Sequence, residues 1–235
     1  MSKAVVPVSG GIDSSVILAY AKTKHTQVFP ITFDYNQRHS KELKFAEMQA
    51  GKNYKVIDLP FIRDIATTSS LTNDEIDVAK TKDVLGDAQT VNYVPFRNQM
   101  MLSIACAYAE SKGADTVYHG AALIDSQAGY WDGSIEFLQS FGNLVALKRK
   151  SKISILAPLI NKTKREIILL GAKLGVDYSK TWTCYEGKDL ACGYCTSCSS
   201  RIKGFLDAGI KDPFNMKKMI YHGMNNYVRY NRFSS

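Results

Sequence analysis

Short apolar runs alternate with stretches of helical periodicity along most of the chain. Residues 4–8 are apolar and β-branched and predict a buried strand. A helix is expected from Asp13, carrying Val16, Ile17, Leu18 and Tyr20. Residues 27–33 predict a second strand and residues 40–52 a second helix, with Ser40 as its N-cap. Residues 54–59 predict a third strand. Residues 60–92 are polar and mixed, with Thr67-Thr68-Ser69-Ser70 and Asn73-Asp74, and predict a long loop with one short helix. So long a loop in a compact domain tends to carry function. Residues 98–112 are nearly all apolar (Met101, Leu102, Ile104, Ala105, Tyr108) and predict a helix buried on most sides. Residues 116–120 predict strand four, and Ile135, Leu138, Phe141 and Val145 put one apolar face on a further helix. Residues 153–157 predict strand five and 163–174 the helix after it. Beyond Asp177 the periodicity gives way to a cysteine-rich segment and an irregular tail. Strands alternating with helices predict an α/β fold, a Rossmann-like parallel sheet with helices on both faces.

The turn between the first strand and helix reads Ser9-Gly10-Gly11-Ile12-Asp13-Ser14-Ser15. Its glycines let backbone N–H groups turn inward, and the helix start adds a positive dipole end. The segment therefore predicts an anion seat. A Walker loop requires G-x-x-x-x-G-K-[ST], and no lysine stands there; the G-x-G-x-x-G fingerprint is absent too. The string S-G-G-x-D-S-S resembles the PP-loop signature of the ATP pyrophosphatases. That resemblance implies cleavage of ATP between its α and β phosphates. An acceptor oxygen takes AMP, and the loop holds the leaving pyrophosphate. Ser9, Ser14, Ser15 and backbone N–H groups suit that task, because they stabilise developing charge without a covalent step. Magnesium is the expected companion of the phosphates.

Composition narrows the class without choosing a ligand. The 235 residues are 45% apolar, which fits a globular chain with a real core. A formal charge of +8 makes an anionic ligand plausible. The basic residues are spread out, with a mild excess at Lys217, Lys218, Arg229 and Arg232, which reads first as a solvated surface. Residues 3–8 are too short and too proline-broken for a signal sequence. No run approaches the ~18 apolar residues of a membrane span. A cytoplasmic protein is expected, and there cysteines are thiols or metal ligands more often than disulfides. Cys184, Cys192, Cys195 and Cys198 are spaced C-x7-C-x2-C-x2-C, close enough to surround one tetrahedral ion. Four thiolates close the shell of Zn²⁺ and leave no site for substrate, so a structural zinc is the first reading. An iron–sulfur cluster also takes four cysteines and stays open as the alternative. Cys106 lies inside the apolar helix and reads as a small core residue.

Loop and cysteines together, at the two ends of a chain of this length, resemble the 7-cyano-7-deazaguanine synthase family of the queuosine-precursor pathway. Phe33-Asp34-Tyr35-Asn36-Gln37-Arg38-His39 resembles the family's FDYGQRH, and Tyr93-Val94-Pro95-Phe96-Arg97-Asn98 its FVPGRN. Gly129-Tyr130-Trp131-Asp132 resembles GYPD, with Asp125 at the upstream acidic position. Ala157-Pro158-Leu159 with Thr163-Lys164, then Thr183-Cys184-Tyr185 and Cys192-Gly193-Tyr194-Cys195, continue the likeness over roughly residues 3–213. The resemblance implies that ATP adenylates 7-carboxy-7-deazaguanine, ammonia gives the amide, and a second ATP leads to the nitrile. It implies ATP binding by Val8, Ser9, Gly10, Gly11, Ile12, Asp13, Ser14, Ser15, Phe33 and Lys164. Asp13, Lys164 and Arg97 are the implied catalytic groups. Arg97, Asn98, Asp125, Tyr130 and Asp132 are the implied substrate contacts. It further implies a homodimer acting on small molecules, with no stable nucleic-acid partner and no membrane. Residues 1–180 would form the ATP-binding domain and 181–235 a zinc-binding segment packed on it.

The departures fall near the implied substrate. Asn36 and Phe96 replace family glycines, and Gly133-Ser134 replace Cys-Arg. The segment 124–129 is one residue longer. Asparagine tolerates a left-handed backbone, whereas Phe96 is expected to bring bulk where the family keeps none. These changes leave open an enzyme that stops at 7-amido-7-deazaguanine. A tRNA thiolase and a zinc-ribbon nucleic-acid binder with a vestigial loop are the other readings. The thiolase reading wants a free catalytic cysteine, and the binder predicts salt-dependent affinity for nucleic acid.

Overall fold

The five apolar runs form strands β1 (Lys3–Pro7), β2 (Gln27–Asp34), β3 (Lys55–Asp58), β4 (Thr116–Tyr118) and β5 (Ser154–Leu156), all paired in parallel in the order β3-β2-β1-β4-β5. They belong to a computed structural model that describes residues 2–51, 54–80, 90–128, 130–147 and 152–214. The helices are α1 (Ile12–Lys24), α2 (Lys41–Ala50), α3 (Phe61–Ile65), α4 (Arg97–Lys112), α5 (Leu123–Gln127), α6 (Ile135–Val145), α7 (Lys164–Lys173) and α8 (Thr196–Ala208). Alternate residues of β1 face opposite ways, as a pleated strand requires. Val5 joins Leu102 and Ala105 of α4 and Phe137 and Phe141 of α6 on one side of the sheet. Ala4 and Val6 join Val16 of α1, Ile167 of α7 and Phe205 of α8 on the other. Both faces are covered, so the central strands read as continuous apolar runs.

The sheet grows outward from β1 in two directions. The switch point lies between β1 and β4, where loops leaving the carboxyl ends of the strands part and leave a crevice. The loop 8–11 and the segment 119–122 both start there.

Four sequence expectations change. Ser40 is not a working N-cap: its backbone is right-handed helical and its side chain makes no cap bond. The chain enters α2 through backbone turns instead, Ser40 N to Gln37 O and Glu42 N to His39 O, both 3.0 Å. Helix α4 is buried along one stripe, Leu102, Ala105, Cys106 and Ala109, with Ser103, Ala107 and Glu110 exposed. Ala107 is apolar without demanding burial, and Met101, Ile104 and Tyr108 are only partly covered. On α6 the covered face is Phe137, Phe141 and Val145, and Ile135 is exposed. The segment after Asp177 is not irregular throughout, since α8 spans thirteen residues of it. Gly129, part of the loop before α4 (residues 81–89) and the basic residues Lys217, Lys218, Arg229 and Arg232 lie outside the described residues.

Asn36 and Phe96 have φ of 56° and 53°, and no other described non-glycine residue has positive φ. Both stand where the resemblance expects glycine. The left-handed backbone costs roughly 1–2 kcal/mol for a side-chain-bearing residue. Phe96 does not fill the crevice; it is 56% exposed and its ring meets Trp131 at 5.3 Å. The glycine preference there is set by the backbone rather than by space. Phe96→Gly is accordingly expected to be more stable than Phe96→Ala by about 1 kcal/mol in urea unfolding, the reverse of the order inside a helix. Equal midpoints for the two variants would show that the residue is unstrained.

Candidate active site

Two bonds fix the end of β1. Val8 N donates to Ile31 O at 2.7 Å, and Thr32 Oγ1 donates to Val8 O at 2.7 Å. The loop then turns at Gly10, whose φ is +88°. A Cβ on Gly10 would stand 2.3 Å from Glu42 O and 2.8 Å from Ala46 N, so only glycine lets the loop touch the α2 backbone. Ser14 Oγ accepts from Ser9 N at 3.2 Å and donates to Gly11 O at 3.2 Å. Gly11 N donates to Ser9 Oγ at 3.3 Å. The Ser15 hydroxyl lies against Gly11 O and Gln49 Oε1, and Gln49 Nε2 reaches Gly10 O and Lys180 O. The loop is thus laced before any ligand arrives, which is the preorganisation that electrostatic catalysis requires.

Asp13 lies in the first turn of α1. Lys164 Nζ is 2.7 Å from both of its carboxylate oxygens. Lys164 opens α7, where Thr163 and Glu166 form a reciprocal capping box. Its stem crosses α8 at Gly204, where a Cβ would stand 2.4 Å from Lys164 Cγ. A bare backbone therefore aims the lysine at the loop.

A cavity of about 330 Å³ opens at the switch point. Val8, Ser9, Gly11, Ile12, Asp13, Ser14, Phe33 and Lys164 line it; Gly10 and Ser15 lie behind, holding the loop. Arg97, Asn98, Asp125, Tyr130 and Asp132 line the same cavity. Residues from motifs far apart in the chain converge there. Arg97 Nη1 donates to Tyr35 OH at 3.1 Å and Nε to Asn98 Oδ1 at 3.3 Å, so its fork is held by neutral partners. Asp132 is 4% exposed; burial pushes its carboxyl up while Arg97 draws it down.

Asp125 reaches back to accept from Ala122 N at 2.8 Å, and burial pushes its carboxyl up to about 6. A Cβ on Gly133 would stand 2.6 Å from Asp125 Cβ. Glycine at this position is what gives Asp125 its place. Ser134, where the family pattern carries arginine, accepts from Phe137 N at 3.1 Å and caps α6. The raised Asp125 carboxyl has a definite sign. Between the unfolded value near 4 and about 6 the folded state holds the extra proton, so Asp125 favours folding most below that window and loses the contribution as pH rises through it. Asp125→Asn should flatten that part of the pH–stability curve. An unchanged slope between pH 4 and 6 in thermal melts of the variant would contradict the assignment.

Sequence reasoning did not single out several lining residues. His39 Nε2 lies 3.3 Å from Glu42 Oε1, which also accepts from Gln37 Nε2 at 3.2 Å. His119 places Nε2 3.0 Å from Asp132 O, and burial pushes its pKa down, toward the neutral ring. Tyr35, Asn92 and Tyr185 complete this part of the wall. Tyr35 and His39 stood inside a recognised motif; Gln49 and Asn92 carried no signal at all.

The four cysteines come together, with sulfurs all within 4.8 Å of one another. Cys192 Sγ and Cys198 Sγ are 3.9 Å apart. Tetrahedral thiolates about 2.3 Å from a Zn²⁺-sized ion would be about 3.8 Å apart. Backbone N–H groups of Cys192, Cys195 and Cys198 point at Cys184, Cys192 and Cys195 sulfurs at 3.2, 3.4 and 3.5 Å. Such donors favour thiolates, so the set fits a metal site. The segment is tied to the loop: Trp182 N donates to Gly10 O at 2.9 Å, and Trp182 Nε1 to Cys184 O at 2.9 Å. Among the described residues no helix is long and apolar enough to cross a membrane.

A doubly wound sheet with a lysine-free serine–glycine loop at its switch point defines a PP-loop nucleotide-binding protein. The sequence profile described as "Queuosine biosynthesis protein QueC" matches residues 3–209, and the chain belongs to that family. The 7-cyano-7-deazaguanine synthase of Thermoplasma volcanium is 42% identical over 226 residues, 92% of this chain and 91% of that protein. The synthase of Clostridium kluyveri is 39% identical over 226 residues, 92% of this chain and 99% of its own length. That of Psychromonas ingrahamii is 40% identical over 217 residues, 91% and 97% of the two chains.

Proposed function

We propose that this chain converts 7-carboxy-7-deazaguanine and ammonia into 7-cyano-7-deazaguanine at the expense of two ATP. A carboxylate oxygen attacks the α-phosphorus, pyrophosphate leaves, and an acyl-adenylate forms. Ammonia attacks the acyl carbon, and AMP carries that oxygen away. The amide oxygen then attacks a second ATP, and loss of AMP and a proton leaves the nitrile. Adenylation is the physical necessity, because hydroxide is a poor leaving group and AMP a good one.

The observation that carries this reading is one cavity that joins the PP-loop to a buried carboxylate, Asp132, a half-buried one, Asp125, and an arginine. The loop amides with Ser9 and Ser14 hold the departing pyrophosphate, and Lys164 neutralises its charge. Asp13 orients Lys164 and offers a ligand to the Mg²⁺ that travels with ATP. The Phe33 backbone meets adenine. Arg97 and Asn98 bind the acyl-adenylate, and Tyr130 covers the ring. Asp125 and Asp132 accept hydrogen bonds from the N–H edge of the deazaguanine, as carboxylates do. Residues 1–180 carry most of the chemistry, and the cysteine-rich segment after them braces it through one structural Zn²⁺ on Cys184, Cys192, Cys195 and Cys198. A metal with four thiolates has no open position and takes no part in the reaction. The protein acts as a cytoplasmic homodimer on small molecules.

Pyrophosphate release is measured with and without carboxy-deazaguanine, in ammonia and excess ATP, and the product is weighed. Substrate-dependent release with clean nitrile is expected. Amide as the sole final product, or release without the substrate, would contradict the reading.

A further inference from the structure

Asp125 and Asp132 meet donors on a ligand ring, but none of the roles above meets an acceptor on it. Asn92 carries an unused donor in the same cavity. It is 5% exposed and lines the cavity. Its Oδ1 accepts from Ala79 N at 3.1 Å and from Ser70 Oγ at 2.7 Å. A backbone N–H can only donate, so the oxygen must face Ala79, and the NH₂ group is turned the other way. Nδ2 is buried and has no hydrogen-bond partner. A buried donor in that state costs about 1–3 kcal/mol, which an arriving acceptor removes.

The neighbours of Asn92 place it on the substrate wall. Asn92 N donates to Thr90 Oγ1 at 3.2 Å, and that hydroxyl is 3.1 Å from Tyr130 OH. Tyr130 N in turn donates to Asp125 O at 3.0 Å. A guanine-type edge presents N–H donors beside one keto oxygen, and carboxylates beside one amide are its complement. We infer that Asn92 is a specificity-determining residue whose Nδ2 donates a hydrogen bond to the keto oxygen of the deazaguanine ring. The inference rests on the substrate reading above.

The test compares 7-carboxy-7-deazaguanine with its 6-thio analogue, which keeps the ring N–H pattern and replaces the keto oxygen by a weaker acceptor. The native protein should prefer the keto substrate by at least about tenfold in kcat/KM, since a site built around a hydrogen bond rejects analogues that lack it. Asn92→Ala should lower kcat/KM at least about tenfold for the keto substrate and under about threefold for the thio analogue, with KM for ATP within about twofold. Asn92→Asp keeps both bonds at Oδ1 and sets a carboxylate against the keto oxygen, so it should lose still more, and it decides the matter if the alanine variant does not fold. A folded variant with the native keto-to-thio ratio would overturn the inference. If the native protein turns over neither compound, the substrate reading fails and this assignment falls with it.

Discussion

Lys164→Met is expected to lower substrate-dependent pyrophosphate release about 10²–10³-fold, with a Tm within about 4 °C of the native protein. The methionine keeps the stem that lies on Gly204 and removes only the charge. Without it Asp13 keeps a carboxylate at the first turn of α1 that no longer has its 2.7 Å cation, and it repels the phosphates it should help to hold. The loss should fall on kcat more than on KM for ATP, because charge on the bridging oxygen grows as pyrophosphate leaves. Asp13→Asn should cost less. The double variant should cost less than the product of the two single effects, since the residues act as a pair. Multiplicative losses, or full activity in Lys164→Met, would show that the ion pair is merely structural.

Removal of the metal should have the other large effect. Cys184, Cys195 and Cys198 are fully buried, and with Trp182 and Ala191 they make a small core of their own. Four crowded thiols without a cation cannot all be thiolates, and structural zinc supplies apparent folding energies of about 10–16 kcal/mol in small peptides. The same core presents Trp182 to Gly10, so its collapse reaches the loop directly. Chelation, or Cys195→Ser, should lower Tm by roughly 10 °C or more and abolish ATP turnover, with recovery of the chelated protein on adding Zn²⁺. Metal analysis should return zinc and no iron. A chelated chain with native Tm and native KM for ATP would contradict the brace.

Much of this was legible because the physics is local. A β-branched run, a glycine turn and a helix start are decided by neighbours in the sequence, and so β1, the loop and α1 were read nearly to the residue. Four cysteines within fifteen positions leave few ways to avoid one another. What escaped depends on tertiary approach. Gln49 is an ordinary polar residue of α2 until the fold sets it against Gly10 and Ser15. Gly204 signals nothing until α8 crosses Lys164. At Phe96 the backbone dihedral decides, and the bulk that residue type suggests points out of the crevice. Residue type alone makes Ser40 a cap, whereas backbone turns from Gln37 and His39 lead into the helix.

The central claim is that the loop delivers AMP, twice, to oxygens that began as one carboxylate. Carboxy-deazaguanine labelled with ¹⁸O in both carboxylate oxygens tests it directly. The mass spectrum should show two AMP, each carrying one ¹⁸O, for every unlabelled nitrile formed. Unlabelled AMP, or ADP and phosphate in place of AMP and pyrophosphate, would contradict the account.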